Sequence, residues 1–124
     1  MRMQESAEMY LETILVLSEG NNEPRAIDIA RKLGFSRPSV SNALKELDRD
    51  GYIDYKDSRY VALTEKGAAI AEKIYARHLV LTNLLLAAGV SEKTAREDAC
   101  RIEHYISDET FEALKRLEIA GVNQ

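Results

Sequence analysis

The chain has 124 residues, enough for one compact domain or two small ones that support each other. With 45% apolar and 31% charged residues it can build a core beneath an ordinary polar surface, which excludes a disordered chain. The longest nearly charge-free apolar stretch, residues 79–90, is too short to span a bilayer; no signal-peptide core is seen in MRMQESAEMY, and a single cysteine suits a reducing compartment, so a cytoplasmic protein without membrane attachment is expected.

The net charge of −4 argues against a nucleic-acid binder until it is divided along the chain. Residues 25–49 carry a net +3, residues 1–20 a net −3 and residues 61–124 a net −2. A basic segment between acidic ones fits a DNA reader joined to a part that holds cations, although a solvated helix surface gives similar sums.

In chain order, Tyr10, Ile14 and Leu17 recur at helical spacing, with Leu11 and Leu15 widening the stripe, which predicts a helix over 6–18. Gly20-Asn21-Asn22 ends it, and Ala26–Leu33 reads as a short helix with Ile27, Ala30 and Leu33 inward and Gly34 as its stop. Ser36 is a good N-cap for a third helix to about Arg49, with Pro38 in the first turn, where its missing N–H does no harm. Asp50-Gly51 then leads into a strand at 52–55, a tip at 56–59 and a returning strand at 60–63. Thr64 caps a long helix reaching Leu86 or Ala87, with Ile70, Ile74, Leu81 and Leu85 apolar. Ser91 opens a helix to about Tyr105, and Ser107-Asp108-Glu109 opens the last, with Phe111, Leu114, Leu117 and Ile119 on its apolar face.

Three helices followed by a hairpin is the order of a winged helix-turn-helix, so a mainly α fold is expected. Residues 1–64 form that domain, and residues 65–124 an α-helical dimerisation and metal-binding domain. In such a fold Ala26–Leu33 braces the Ser36–Arg49 helix, which enters the major groove. Small and polar residues at its leading end, Ser36, Pro38, Ser39 and Asn42, permit close approach to base edges. Arg25, Arg37 and Arg49, with Lys56 and Arg59 of the wing, are placed for phosphates, which position a protein without specifying sequence. The bland alternative is that Ser36 only caps and Asn42 is only a solvated helix residue.

Candidate metal chemistry lies in two further segments. Met9 and Glu12 are three apart on the first helix and share a face, as do Cys100, Glu103 and His104 at i, i+3 and i+4 on a later one. If the two faces meet they form a cage of thioether, thiolate, carboxylate and imidazole, with His78 as a third wall. Such donors suit Fe(II), Co(II), Ni(II) or Zn(II) better than Mg(II) or Ca(II). Singly, a methionine usually fills core space and a lone cysteine is usually inert. Jointly they weigh more, because the only cysteine and one of just two histidines fall within five residues of each other.

These stretches resemble the metal-dependent repressors of the diphtheria toxin repressor and manganese transport regulator (DtxR/MntR) family. The resemblance is carried by AEMYLETI at 7–14, DIARKLGFSRPSVSNALKELDRDGYI at 28–53, LTEKG at 63–67 and DACRIEHYISDE at 98–109. It implies a homodimer that binds operator DNA when a divalent metal is loaded and represses metal-uptake genes, in a short form without the C-terminal SH3-like domain. It also implies that Met9, Cys100, Glu103 and His104 match the activating site of the iron branch. Glu12 and His78 match ligand positions of the manganese branch, in which Met9 and Cys100 are replaced by carboxylates. Two ancillary-site positions appear as Thr82 and Arg96, which do not suit ligation. Ser36, Pro38 and Asn42 fall on base-facing positions, and Arg49 and Arg59 on phosphate-facing ones.

The expectation is therefore a metal-activated transcriptional repressor, not an enzyme, with Fe(II) favoured over Mn(II) and no small organic substrate. One rival is a winged-helix regulator answering to a small molecule or to oxidation of Cys100. A second is a hydrolytic metalloenzyme with Glu103 as base, for which the sequence offers no substrate-orienting motif.

Overall fold

A computed structural model describes residues 3–56 and 59–118. In order, these form α1 (Met3–Leu17), a 3-10 turn (Glu19–Asn21), α2 (Ala26–Leu33), α3 (Arg37–Arg49), β1 (Ile53–Lys56), β2 (Tyr60–Leu63), α4 (Glu65–Ala87), α5 (Glu92–Ile102) and α6 (Asp108–Leu117). The strands pair antiparallel, with Ile53 opposite Leu63 and Tyr55 opposite Val61. The mainly α winged helix-turn-helix expected from the sequence is present. Packing divides the chain into two units, Met1–Glu72 and Lys73–Gln124, so the division falls within α4. Among the described residues no helix is long and apolar enough to cross a membrane.

The first unit has one core. Tyr10, Leu11 and Ile14 of α1 meet Ile29 and Ala30 of α2, Val40, Leu44 and Leu47 of α3, Ile53 and Val61 of the hairpin, and Ala71 of α4. Burial pushes the Tyr10 phenol pKa up, because the charged form loses its water. Two expectations are corrected here. The first helix begins at Met3, three residues before Ser6, since Met-Gln-Glu are good helix formers. In α2 it is Ile29 that is buried, while Ile27 is exposed. The inward stripe is Ala26, Ile29, Ala30 and Leu33, a full i, i+3, i+4, i+7 set that Ile27 does not join.

The turns follow local chemistry. Gly34 adopts φ 74°, the left-handed conformation that closes α2, and its N–H donates to the Ala30 carbonyl at 2.8 Å. The Ser36 hydroxyl accepts from the Ser39 N–H at 3.3 Å, and Pro38 occupies the first turn of α3. Thr64 has two roles: its hydroxyl donates to the Gly51 carbonyl at 2.7 Å and accepts from the Gly67 N–H at 3.2 Å, tying the start of α4 to the end of α3. The Tyr52 carbonyl there comes so close that a Cβ on Gly67 would overlap its oxygen.

In the second unit, Ile74, Val80 and Leu81 of α4, Ala95 and Ala99 of α5 and Phe111 of α6 are buried. Ser91 and Ser107 cap α5 and α6 by accepting from the N–H groups of Thr94 and Thr110. Of the expected α6 face, Leu114 is half-buried, Leu117 is exposed, and Ile119 lies outside the described residues. Helix α5 ends at Ile102 and does not reach Tyr105. Glu103 still donates its N–H to Ala99, and residues 103–105 form a turn ahead of the Ser107 cap of α6.

Gly67 yields a prediction. Gly67→Ala gains helix propensity but places a methyl against a backbone carbonyl that cannot swing away. It should destabilise the protein by about 1–3 kcal/mol, the usual cost of overpacking, read as a lower urea midpoint at unchanged slope. An unchanged or raised midpoint would mean that the α3–β1 turn yields easily.

Candidate functional site

The second unit gathers four of the expected metal-site residues. The ligand atoms of Cys100, Glu103 and His104 all lie within 4.8 Å of one another. His78, from α4, places Nδ1 2.9 Å from Oε2 of Glu103, and His104 places Nε2 3.4 Å from Oε1. Glu103 is therefore flanked by imidazoles on both oxygens. Its side chain is 0% exposed, whereas Cys100 is exposed, so the donor set is closed at the carboxylate and open to solvent at the thiol. The sequence placed all three donors on one helical face. They do converge, but Glu103 and His104 stand in the turn just beyond α5 and only Cys100 is within the helix.

This set fits a divalent transition ion. Thiol, carboxylate and imidazole offer a mixture of soft and borderline donors that Mg(II) and Ca(II) do not favour. Met9 and Glu12 belong to the first unit, one turn apart on α1, both half-buried.

Sequence reasoning missed one residue that shapes this region. Arg77, immediately before His78, is buried at 6% exposure. Its Nη1 donates to the carbonyls of Glu103 at 3.3 Å and Ile106 at 3.1 Å, its Nη2 donates to the Asp108 carboxylate, and its guanidinium lies over the Phe111 ring. A signal existed: position 77 follows Ile74 by three and precedes Leu81 by four, so it stands within the apolar stripe of α4.

The first unit presents the nucleic-acid candidates. Ser36, Arg37, Pro38, Ser39 and Asn42 are all exposed on the leading turns of α3. The two serines are also bonded to each other, hydroxyl to hydroxyl, at 2.9 Å, so the cap that starts the helix is part of the presented surface. Arg49, at the far end of α3, lies 3.7 Å from the Asp50 carboxylate with both side chains exposed, a pair weak enough to be exchanged for a phosphate. Arg59 is exposed in the wing, and Lys56 ends β1, its side chain lying outside the described residues. Arg25 is exposed but engaged: its backbone bridges Tyr60, and its guanidinium sits 5.5 Å over the Tyr60 ring. Tyr60, 40% exposed beside this cation, was not singled out by the sequence, where it read only as a strand residue.

Two family models match the chain in succession. Residues 2–61 match the iron dependent repressor N-terminal DNA binding domain, and residues 64–117 match the iron dependent repressor metal binding and dimerisation domain. An uncharacterized HTH-type transcriptional regulator of Methanocaldococcus jannaschii is 40% identical over 91% of this chain and 92% of its own length. The transcriptional regulator MntR of Escherichia coli is 40% identical over 86% of this chain and 68% of its own. Among solved structures, the manganese regulator SloR superposes with a TM-score of 0.79 at 30% identity, covering 91% of this chain and 53% of that one, so this chain spans about half of its length. With both domains matched in order, the chain belongs to the iron-dependent repressor family, metal-dependent transcriptional repressors and not enzymes, and carries that family's DNA-binding domain followed by its metal-binding and dimerisation domain.

Proposed function

We propose that this chain is a homodimeric repressor of metal-uptake genes whose operator binding is switched on by a divalent ion held at Cys100, Glu103, His104 and His78. The observation that carries this reading is the convergence of thiol, carboxylate and imidazole within 4.8 Å. Met9 and Glu12 enter as further donors from the family resemblance. When bound, the ion supplies positive charge where the chain is acidic and a Lewis-acid centre common to several donors. Glu103, already flanked by two imidazoles, holds its carboxylate in place, and Cys100 must lose its thiol proton to coordinate. Leu79, Leu86 and Leu117, exposed on the second unit at 47%, 41% and 51%, supply apolar surface suited to a dimer contact. A symmetric dimer presents its two α3 helices about one turn of DNA apart, roughly 34 Å.

Metal control is tested by operator binding in chelator and with each metal restored. Binding should be lost in chelator and recovered with metal; metal-independent binding would remove the switch. Cys100→Ala should keep the fold, with apo stability changed by about 1 kcal/mol, yet strongly weaken metal-dependent binding. Metal should also release protons from the wild type and shield the thiol from alkylation. Large apo destabilisation with normal activation would make Cys100 a packing residue.

The two ends of α3 should separate by readout. Arg49→Ala should lower affinity across DNA sequences and flatten the salt dependence, because one phosphate contact and its counterions are lost. Asn42→Ala should instead relax discrimination at one base position, by about 1–3 kcal/mol for a bidentate contact. Identical binding profiles for either variant and the wild type would remove that residue from the interface.

For the metal itself, sulfur at Met9 and Cys100 favours Fe(II) over Mn(II), while Glu12 pulls toward the harder ion. Replacing Met9 by Asp together with Cys100 by Glu should shift activation toward Mn(II) at matched free concentrations. Equal responses of the wild type to both ions would defeat the argument from donor softness.

A further inference from the structure

Building on the metal site proposed above, we infer that Arg77 is its positioning residue, holding the ligand-bearing turn against α4 through main-chain carbonyls. Glu103 and His104 lie beyond the last residue of α5; the Glu103 N–H still donates to Ala99, but its own carbonyl lies where helical N–H groups no longer bond the main-chain oxygens. The Arg77 guanidinium takes over that task. It bonds the carbonyls at both ends of the turn, Glu103 at 3.3 Å and Ile106 at 3.1 Å, and is itself anchored by Asp108 at the start of α6. The next residue on α4, His78, bonds the Glu103 carboxylate at 2.9 Å. Consecutive α4 residues thus grip Glu103 by its main chain and by its side chain.

Packing alone does not account for an arginine here. The residue is 6% exposed, and its Nε has no hydrogen-bond partner among the described residues, so its burial carries a desolvation cost that an apolar side chain would avoid. What the guanidinium adds is a rigid planar fork that reaches two carbonyls and a carboxylate at once. Lysine, a point charge on a flexible stem, lacks that fork. Arg77 itself offers no ligand atom. Its effect on the ion is exerted through the placement of Glu103 and His104, the kind of supporting contact whose loss usually lowers metal affinity about 10–100-fold.

The test uses the full chain and Co(II), whose visible bands report both thiolate ligation and coordination geometry, titrated well below the melting temperature of each apoprotein. Arg77→Lys should melt cooperatively as apoprotein, bind Co(II) about 10–100-fold more weakly, and give an altered visible spectrum at saturation. A residue that only stabilised the fold would leave the spectrum of the saturated, folded protein unchanged. Asp108→Ala removes the anchor but leaves both carbonyl bonds available, and should lower affinity in the same direction by a smaller factor. Folded Arg77→Lys with wild-type affinity and spectrum would overturn the inference. If Arg77→Lys does not fold, Asp108→Ala decides: a loss of Co(II) affinity supports the role, and unchanged affinity and spectrum overturn it. A wild-type protein showing no thiolate–Co(II) band would instead overturn the site reading itself, and the role of Arg77 with it.

Discussion

The second unit is organised around one buried carboxylate. Glu103 has no solvent exposure, and removing a carboxylate from water costs several kcal/mol unless partners replace that water. Here His78 faces one oxygen and His104 the other. Those contacts bring the middle of α4 to the end of α5, and the same region of α4 holds the turn through Arg77. The contacts of a single residue and its turn therefore link two helices and the segment between α5 and α6. Much of what makes this cluster suitable for an ion also makes it a packing constraint in the ion's absence.

The first unit solves a different problem. A reading helix must expose its leading turns, yet it has to be held firmly enough to present them in one orientation. Helix α3 does so by burying Val40, Leu44 and Leu47 while leaving Ser36, Pro38, Ser39 and Asn42 outside. The Gly34 turn sets the approach of α2, and Thr64, bonded to Gly51, fixes the far end through α4. The wing is attached as well: the Val61 N–H donates to the Pro24 carbonyl at 2.9 Å, next to the Arg25–Tyr60 stack. Rigid elements thus carry the exposed polar groups.

Most of this was legible because local chemistry and tertiary packing agree. Ser36, Thr64, Ser91 and Ser107 each read as a helix start and each accepts the expected N–H, while Gly34 closes α2 as its position implied. The spacing of Cys100, Glu103 and His104 was enough to bring their ligand atoms together. Periodicity failed where it had too few residues to decide between neighbours, as with Ile27 and Ile29 in the eight residues of α2. It failed differently at Arg77. A charged residue is assigned to the surface unless its partners are known, and these partners lie 26 to 31 positions away, two of them backbone carbonyls with no sequence signature. The early end of α5 escaped for the same reason, since residues 103–105 carry no glycine or proline to announce a break.

The unequal burial of the donors bears on how a metal-controlled repressor responds to concentration. An ion shifts a conformational equilibrium only by its difference in affinity between the two states. Donors that are already fixed contribute affinity without a large ordering cost, and the Glu103 carboxylate, bonded by His78 and steadied by the Arg77 grip on its own carbonyl, is of that kind. Cys100 is exposed, and its proton must leave before it coordinates. In the proposed site the buried side would provide geometry and the exposed thiol the proton-coupled, soft-donor discrimination between ions. On that proposal selectivity would depend on the thiol, and affinity for any divalent ion on how rigidly the turn after α5 is held, so substitutions at the two places should not be interchangeable.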